Sequence, residues 1–380
     1  MPKGPFLTGI PVSGETFIGR EKEVKNICNL LKSGQSVILV SPRRYGKTSI
    51  MLNVLKELKS QGYYTAEIDL FSITSKQELA EKIVEKSLAN KKKIFKSLLK
   101  NIKKSISSVF KNIEFKTVIN DYEFILDFNS SEKNENYLIE EALQFPESIS
   151  KKEKKEFVFA YDEFNDILKL DGETLIKKMR AIFQRQELVT YFFAGSEESL
   201  MTKIFLNEKQ AFYRFGRVIY LDVLPKEDFA NFINQQFSKF KISCPKKITN
   251  KILNITNCHP YYTQLICQQI FHTIPINKKE IEEKDVNEGI FHAVLAEKNY
   301  FDNIWKTMSY KKYDINILER LAIDNKSPYL IENLDKQKVY QAITALQEKG
   351  HIKPIKRGTY IIVDPLLKEY IKLRKEGKIS

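Results

Sequence analysis

The chain has 380 residues, 42% hydrophobic and 29% charged, with a formal net charge of +14; this balance excludes a disordered chain and suffices for two or three domains with sizeable cores. No apolar run approaches the ~18 residues of a membrane helix and no apolar leader follows Met1, so a cytoplasmic protein without membrane insertion is expected. Four cysteines without a C-x-x-C pair and only four histidines argue against a disulfide framework or a structural metal, while the positive charge fits an acidic partner and a solvated lysine surface equally well.

Phe17-Ile18-Gly19-Arg20-Glu21 leads into a helix striped by Val24, Ile27, Leu30 and Leu31. Ser36 to Val40 is a short β-branched run, as in a buried parallel strand. The stretch after it, Ser41-Pro42-Arg43-Arg44-Tyr45-Gly46-Lys47-Thr48, precedes a helix whose apolar face is Ile50, Met51, Val54, Leu55 and Leu58 and which ends at Gln61-Gly62. A strand turning tightly into a helix aims successive backbone N–H groups and the positive end of the helix dipole at one spot, where a polyphosphate sits well. Lys47 is then placed to reach β- and γ-phosphate oxygens, and Thr48 to offer its hydroxyl to Mg²⁺. Ser41 stands where the pattern G-x-x-x-x-G-K-S/T has its first glycine, whereas Gly46, Lys47 and Thr48 are intact.

Tyr63 to Leu70 reads as a second strand, with Asp69 a solvated carboxylate at its end, followed by a helix from Gln77 to Leu88. Lys91 to Lys104 is basic and amphipathic, either a packed helix with a lysine face in water or a contact for anionic lipid or nucleic acid. Phe115 to Ile119 and Phe124 to Phe128 alternate around Asn120-Asp121 as a hairpin, which makes residues 91–128 an elaboration of the sheet.

Phe157 to Glu163 reads as a central strand delivering two carboxylates to its C-terminal edge: Asp162 to hold Mg²⁺ and Glu163 to orient or deprotonate the attacking water. A helix around Leu175 to Gln186 and a strand from Leu188 to Ser196 follow; Ser196 either senses the γ-phosphate and positions water or is part of a Gly-Ser turn. Arg214 or Arg217, before a fifth strand from Val218 to Leu221, is a candidate for stabilising charge on the transferred phosphoryl group, from within the chain or from a neighbour.

From Pro225 the pattern is helical, with a stripe of Phe229, Phe232, Ile233 and Phe237, and a helix starting at Pro260 after Cys258-His259. From about Tyr310 the order is a helix with Ile315, Leu318, Leu321 and Ala322, a short one beginning at Leu330-Ile331, a third from Lys338 to Lys349, and strands around Lys356-Arg357-Gly358-Thr359. This is the order of a winged helix, presenting Lys336, Lys338, Gln341, Thr344, Lys356 and Arg357 to DNA or serving as a protein docking module.

The motif order resembles the archaeal-type ATPase family, a branch of the signal-transducing P-loop ATPases related to AAA+ proteins. Carrying the resemblance are Phe17 to Glu21, the loop Pro42-Arg43-Arg44-Tyr45-Gly46-Lys47-Thr48-Ser49, Asp162-Glu163-Phe164, Ala194-Gly195-Ser196, and His259-Pro260-Tyr261-Tyr262 with Gln264. It implies an α/β P-loop NTPase fold with a parallel central sheet in 1–223, a helical lid in 224–300 and a winged helix in 301–380. It further implies ATP binding by the loop residues, hydrolysis with Mg²⁺ held by Thr48 and Asp162, a catalytic set of Lys47, Asp162, Glu163, Ser196 and Arg217, and use of turnover as a conformational switch. By the same resemblance Phe17 and Ile18 lie near adenine, Pro260 belongs to a second sensor coupling nucleotide to the lid, and Arg43 or Arg44 contacts phosphate or a neighbouring subunit of a homo-oligomer. Ser41, and Cys258 where a glycine is usual, bear on the rate and imply slow hydrolysis. The alternative is a nucleotide-dependent DNA- or protein-binding regulator with negligible turnover.

Overall fold

The computed structural model describes residues 4–91, 135–309, 312–323, 328–330, 335–356 and 358–379. The basic segment beyond Lys91, the expected hairpin between Phe115 and Phe128, Ile331 and Arg357 lie outside the described residues. The chain divides into two compact units, one of residues 11–222 and one formed by 1–10 with 223–380.

In the first unit the elements run α1 (Glu21–Lys32), β1 (Val37–Val40), α2 (Lys47–Ser60), β2 (Tyr64–Asp69), α3 (Lys76–Leu88), α4 (Glu135–Glu153), β3 (Phe157–Asp162), α5 (Leu168–Phe183), β4 (Val189–Gly195), α6 (Glu198–Leu206) and β5 (Arg217–Tyr220). Among the described residues the sheet has five strands, all parallel, in the order β2-β3-β4-β1-β5. The strands at its centre are largely apolar and buried because both faces are covered. Alternation sorts their side chains: Ile38, Phe159, Tyr161, Tyr191 and Phe193 pack with helices α3 to α6 on one face. Val37, Leu39, Val158, Ala160, Phe192 and Ala194 pack with α1 and α2 on the other. The first face is an aromatic stack, with Phe183 and Tyr191 centroids 3.7 Å apart and Phe164 and Phe193 4.6 Å apart. Burying each such ring contributes ~2–3 kcal/mol, so the sheet edges are set on a stiff base.

Two boundaries differ from the periodicity. The helix before β4 begins at Leu168, but Asp171 and Gly172 are non-helical, Gly172 at φ 53°, and the regular part starts after that break. Strand β5 begins at Arg217 because its N–H already donates to the Ser36 carbonyl at 2.8 Å.

The second unit continues with α7 (Lys226–Ser238), α8 (Lys246–Thr256), α9 (Pro260–Thr273), α10 (Glu283–Ala296), α11 (Lys298–Ser309), α12 (Lys312–Ile323), α13 (Lys336–Glu348), strands β6 (Ile352–Lys356) and β7 (Thr359–Ile362), and α14 (Pro365–Lys375). Residues 4–10 belong here: the buried Phe6 ring lies 4.8 Å from Phe237 and 6.0 Å from Phe232, and Gln268 donates to the Phe6 carbonyl. From α12 the order is helix, a 3-10 turn at Pro328–Leu330, helix and an antiparallel pair of strands. Asp335 starts α13 by accepting from the N–H groups of Gln337 and Lys338, and Asp364 starts α14 through Leu366 and Leu367. Among the described residues no helix is long and apolar enough to cross a membrane.

Candidate nucleotide-binding site

The turn from β1 into α2 is made by two left-handed residues, Arg44 at φ 69° and Gly46 at φ 92°. Gly46 is needed for that angle rather than for room, since a Cβ there meets nothing within 4 Å. Lys47 opens α2 and is buried, and its ammonium donates to the carbonyls of Ser41 at 2.9 Å and Pro42 at 3.0 Å. Burial pushes the Lys47 pKa down; the Glu163 and Asp162 charges oppose that shift and Arg43 adds to it. Pro42, Arg43 and Arg44 form the exposed crest of the loop.

The acidic pair arrives on β3. Thr48 Oγ1 donates to Asp162 Oδ2 at 2.6 Å, and the Glu163 N–H donates to Asp162 Oδ1 at 3.0 Å. Burial drives the Asp162 carboxyl above its ordinary value, against the pull of the Thr48 and Glu163 hydrogen bonds. Glu163 stands at φ 47° and ψ 47°, left-handed without being glycine. Its Oε2 accepts from the Ser196 hydroxyl at 2.6 Å and the Ser196 N–H at 3.2 Å. Thus Lys47, Thr48, Asp162, Glu163 and Ser196 meet at the C-terminal edge of one sheet, the edge where open α/β sheets take ligands.

The other residues singled out from the sequence fall elsewhere. Arg217 is exposed and pairs with Val37, the first residue of β1, which places it at the N-terminal edge, ~10 Å of strand from the loop. Within this unit it is not brought to the acidic pair, because the arginine opens its strand while the chemistry gathers where strands close. Arg214 is left-handed at φ 54° and lies over the Tyr213 ring at 5.0 Å. Ser49 turns away from the loop crest: its hydroxyl accepts from the Val12 N–H at 3.0 Å, and Asn53 donates to the Val12 carbonyl at 3.1 Å. Phe17 packs on the α1 and α2 face of the core, Ile18 and Tyr45 are half-buried, and Asp69 is an exposed carboxylate accepting from Phe71 N–H. Pro260 belongs to the second unit, opening α9 after His259, whose ring accepts from the Tyr262 N–H. Cys258 sits at φ 54°, in the left-handed region that favours glycine.

Two residues of the quoted motifs received no role of their own from the sequence. Arg20 is buried and donates to Glu23 at 2.9 Å and to the Asp222 carbonyl, tying the start of α1 to the chain leaving β5. Gly195 is obligatory for space, since a Cβ would fall 2.4 Å from Met201 Sδ and 2.8 Å from Asn165 Oδ1. Only the packed fold identifies either neighbour.

The donor set fits Mg²⁺. Thr48 and Asp162 supply one hydroxyl and one carboxylate in direct contact, and among the described residues no group of three or more His, Cys, Asp or Glu forms a cage. Such a sparse set of hard oxygens suits an ion that keeps waters and takes phosphate oxygens as its remaining ligands.

The five-stranded order, with β4 between the loop strand and the acidic strand, defines an α/β P-loop ATPase. A family model described as an ATPase domain predominantly from Archaea matches residues 17–266, and the chain belongs to that family. No curated protein matches the chain. Among solved structures it is similar to the Walker-type ATPase PABY2304 of Pyrococcus abyssi, at 14% identity and TM-score 0.66, covering 97% of this chain and 99% of that one. It is also similar to the ORC2 protein of Aeropyrum pernix in its ADPNP-ADP complexes, at 11% identity and TM-score 0.54, with 94% of each chain covered. At these identities the likeness is one of fold.

Proposed function

We propose that the chain binds ATP with Mg²⁺ at the loop and hydrolyses it slowly, using the cycle as a conformational switch. The observation that carries this is the 2.6 Å contact between Thr48 and Asp162, which joins the phosphate-loop helix to the acidic strand. Lys47 would leave the Ser41 and Pro42 carbonyls for phosphate oxygens, and the N–H groups at the start of α2 would take the remaining negative charge. When bound, Mg²⁺ supplies positive charge at the phosphates, held by Thr48 and Asp162. Glu163 would orient the attacking water and accept its proton. Phe17 and Ile18 would line the base, Arg43 or Arg44 would meet phosphate or a neighbouring copy, and Pro260 would relay nucleotide state to the helical part. Arg217 would act only from a second copy, since its own sheet holds it at the far edge. The test is phosphate release with Mg²⁺ by the full chain: Lys47→Ala should lower it at least ~100-fold, the scale set by losing a preorganised charge. A wild-type rate equal to that of the variant sinks the proposal.

A second reading, that the switched output is DNA binding, is favoured by the outer face of α13 and the wing. Lys336, Lys338 and Gln341 are exposed there with Lys353 and Lys356, and Tyr340 is 62% exposed. Lysines of this kind suit phosphates, with Tyr340 available for a base edge or a sugar. Fluorescence anisotropy with a labelled duplex should then show affinity falling steeply with salt, and Lys338→Glu with Lys356→Glu should weaken it ~10-fold or more. Binding that ignores both salt and these variants points to a protein partner.

A further inference from the structure

In the second unit the start of α9 is fastened at two points. Tyr261 and Tyr262 follow Pro260 in its first turn, and because successive residues of a helix diverge by ~100° their phenols leave in different directions. Tyr261 donates to Glu297 Oε1 at 2.6 Å; Glu297 is buried, and its own carbonyl takes the first bond of α11, from the Phe301 N–H at 3.1 Å. Tyr262, also buried, donates to Asp364 Oδ2. The other oxygen of Asp364 accepts from the Leu366 and Leu367 N–H groups, so one carboxylate both starts α14 and ties it to α9. Farther along α14, the fully buried Tyr370 donates to Asp302 Oδ1 of α11 at 2.7 Å, while Asp302 Oδ2 accepts from Lys298 at 2.6 Å. Burial and then the Asp302 bond push the Tyr370 phenol up to about 12, which keeps it a donor at neutral pH.

Three phenol–carboxylate bonds thus join three helices pairwise: α9 to α11, α9 to α14 and α14 to α11. Two helices joined by one bond can pivot about it; three joined pairwise cannot pivot without breaking one, and bonds to ionised carboxylates are the strong ones. The triangle also encloses the expected boundary at residue 300, since α9 precedes it, α11 spans it and α14 follows it. We infer that Tyr261–Glu297, Tyr262–Asp364 and Tyr370–Asp302 weld the helical part and the C-terminal part into one moving body, with no hinge near residue 300. The face of α13 is carried along, because α13 packs on α12 and α12 on α14. Any output that the nucleotide cycle switches is then delivered by motion of this whole body, never by a swing of the C-terminal part alone. That consequence rests on the switch reading; the weld itself does not.

The test follows hydrogen exchange in the α9 and α14 peptides of the full chain, without nucleotide, with ADP and with a non-hydrolysable ATP analogue. Wild type is compared with Tyr262→Phe, with Tyr262→Phe combined with Tyr370→Phe, and with Asp364→Ser, in which serine still caps α14 but is too short to hold the phenol. In wild type the slowest amides of α9 and α14 should exchange within tenfold of one another, as in one cooperative unit; a wider gap overturns the single body. In the double variant α14 should exchange at least fivefold faster relative to α9, and Asp364→Ser should match Tyr262→Phe within twofold. Equal acceleration of both peptides, or none, overturns the triangle as what joins them. Nucleotide should shift α9 and α14 together in wild type and α9 alone in the double variant, and a shift confined to one peptide in wild type overturns the weld. No nucleotide shift in either peptide counts against the switch, with the nucleotide-free comparison still deciding the weld.

Discussion

The two edges of the parallel sheet are built from the same five strands and solve opposite problems. At the C-terminal edge Lys47 and Asp162 are buried, each with its charged form disfavoured by desolvation, and Glu163 holds a left-handed backbone. At the N-terminal edge Glu147, also buried, accepts from the N–H groups of Glu187 at 3.2 Å and Leu188 at 3.0 Å, and Ser36 Oγ accepts from Tyr191 N–H at 3.2 Å. One edge keeps buried charge and backbone strain; the other uses its polar groups to finish strands. The difference teaches that burial alone does not mark a working residue. What sets the C-terminal edge apart is burial that disfavours the charged forms of Lys47 and Asp162.

The sharpest way to break this comparison is Asp162→Asn. Phosphate release should fall at least ~100-fold, whereas Tm should rise by ~2–4 °C, the shift that ~1 kcal/mol makes in a unit of this size, because a buried charge is removed and the Thr48 bond can persist. The pH dependence has a definite sign. A carboxyl raised in the fold stabilises it fully below its ordinary value of 3.8, and that contribution is lost as pH rises through the raised value. The Tm advantage of Asp162→Asn should therefore be largest at neutral pH and shrink on acidification through that window. A growing difference in thermal melts at falling pH contradicts the assignment.

Glu147→Ala probes the opposite edge. It leaves the N–H groups of Glu187 and Leu188 without their carboxylate acceptor, so denaturant unfolding should show a loss of ~1–2 kcal/mol, with kcat per folded molecule unchanged within twofold. An equal loss of kcat would mean that the edges are not functionally distinct. Arg217→Ala should have the smallest effect, with kcat per chain within twofold at concentrations where the protein is monomeric by light scattering. A large fall under those conditions would overturn its placement at the silent edge.

The sequence by itself determined the parallel α/β unit and singled out residues that meet at its C-terminal edge. A β-branched run ending in Gly46-Lys47-Thr48 and an apolar run ending in Asp162-Glu163 are local signals, and local signals survive without knowledge of neighbours. Hydrophobic period and caps were equally legible in α9 starting at Pro260, in α13 and in the strand pair that follows it. Tertiary structure alone decided which strands are neighbours, and hence that Ser196 reaches Glu163 while Arg217, only a few residues before its strand's end, lies at the opposite edge of the sheet from the loop. It likewise decided that Gly195 makes room for Met201 and Asn165, that Arg20 reaches Asp222, and that Phe6 belongs to the second unit. The reason is geometric: strand order and edge polarity arise from crossovers linking distant segments, and periodicity within one segment carries no record of which segment will lie beside it.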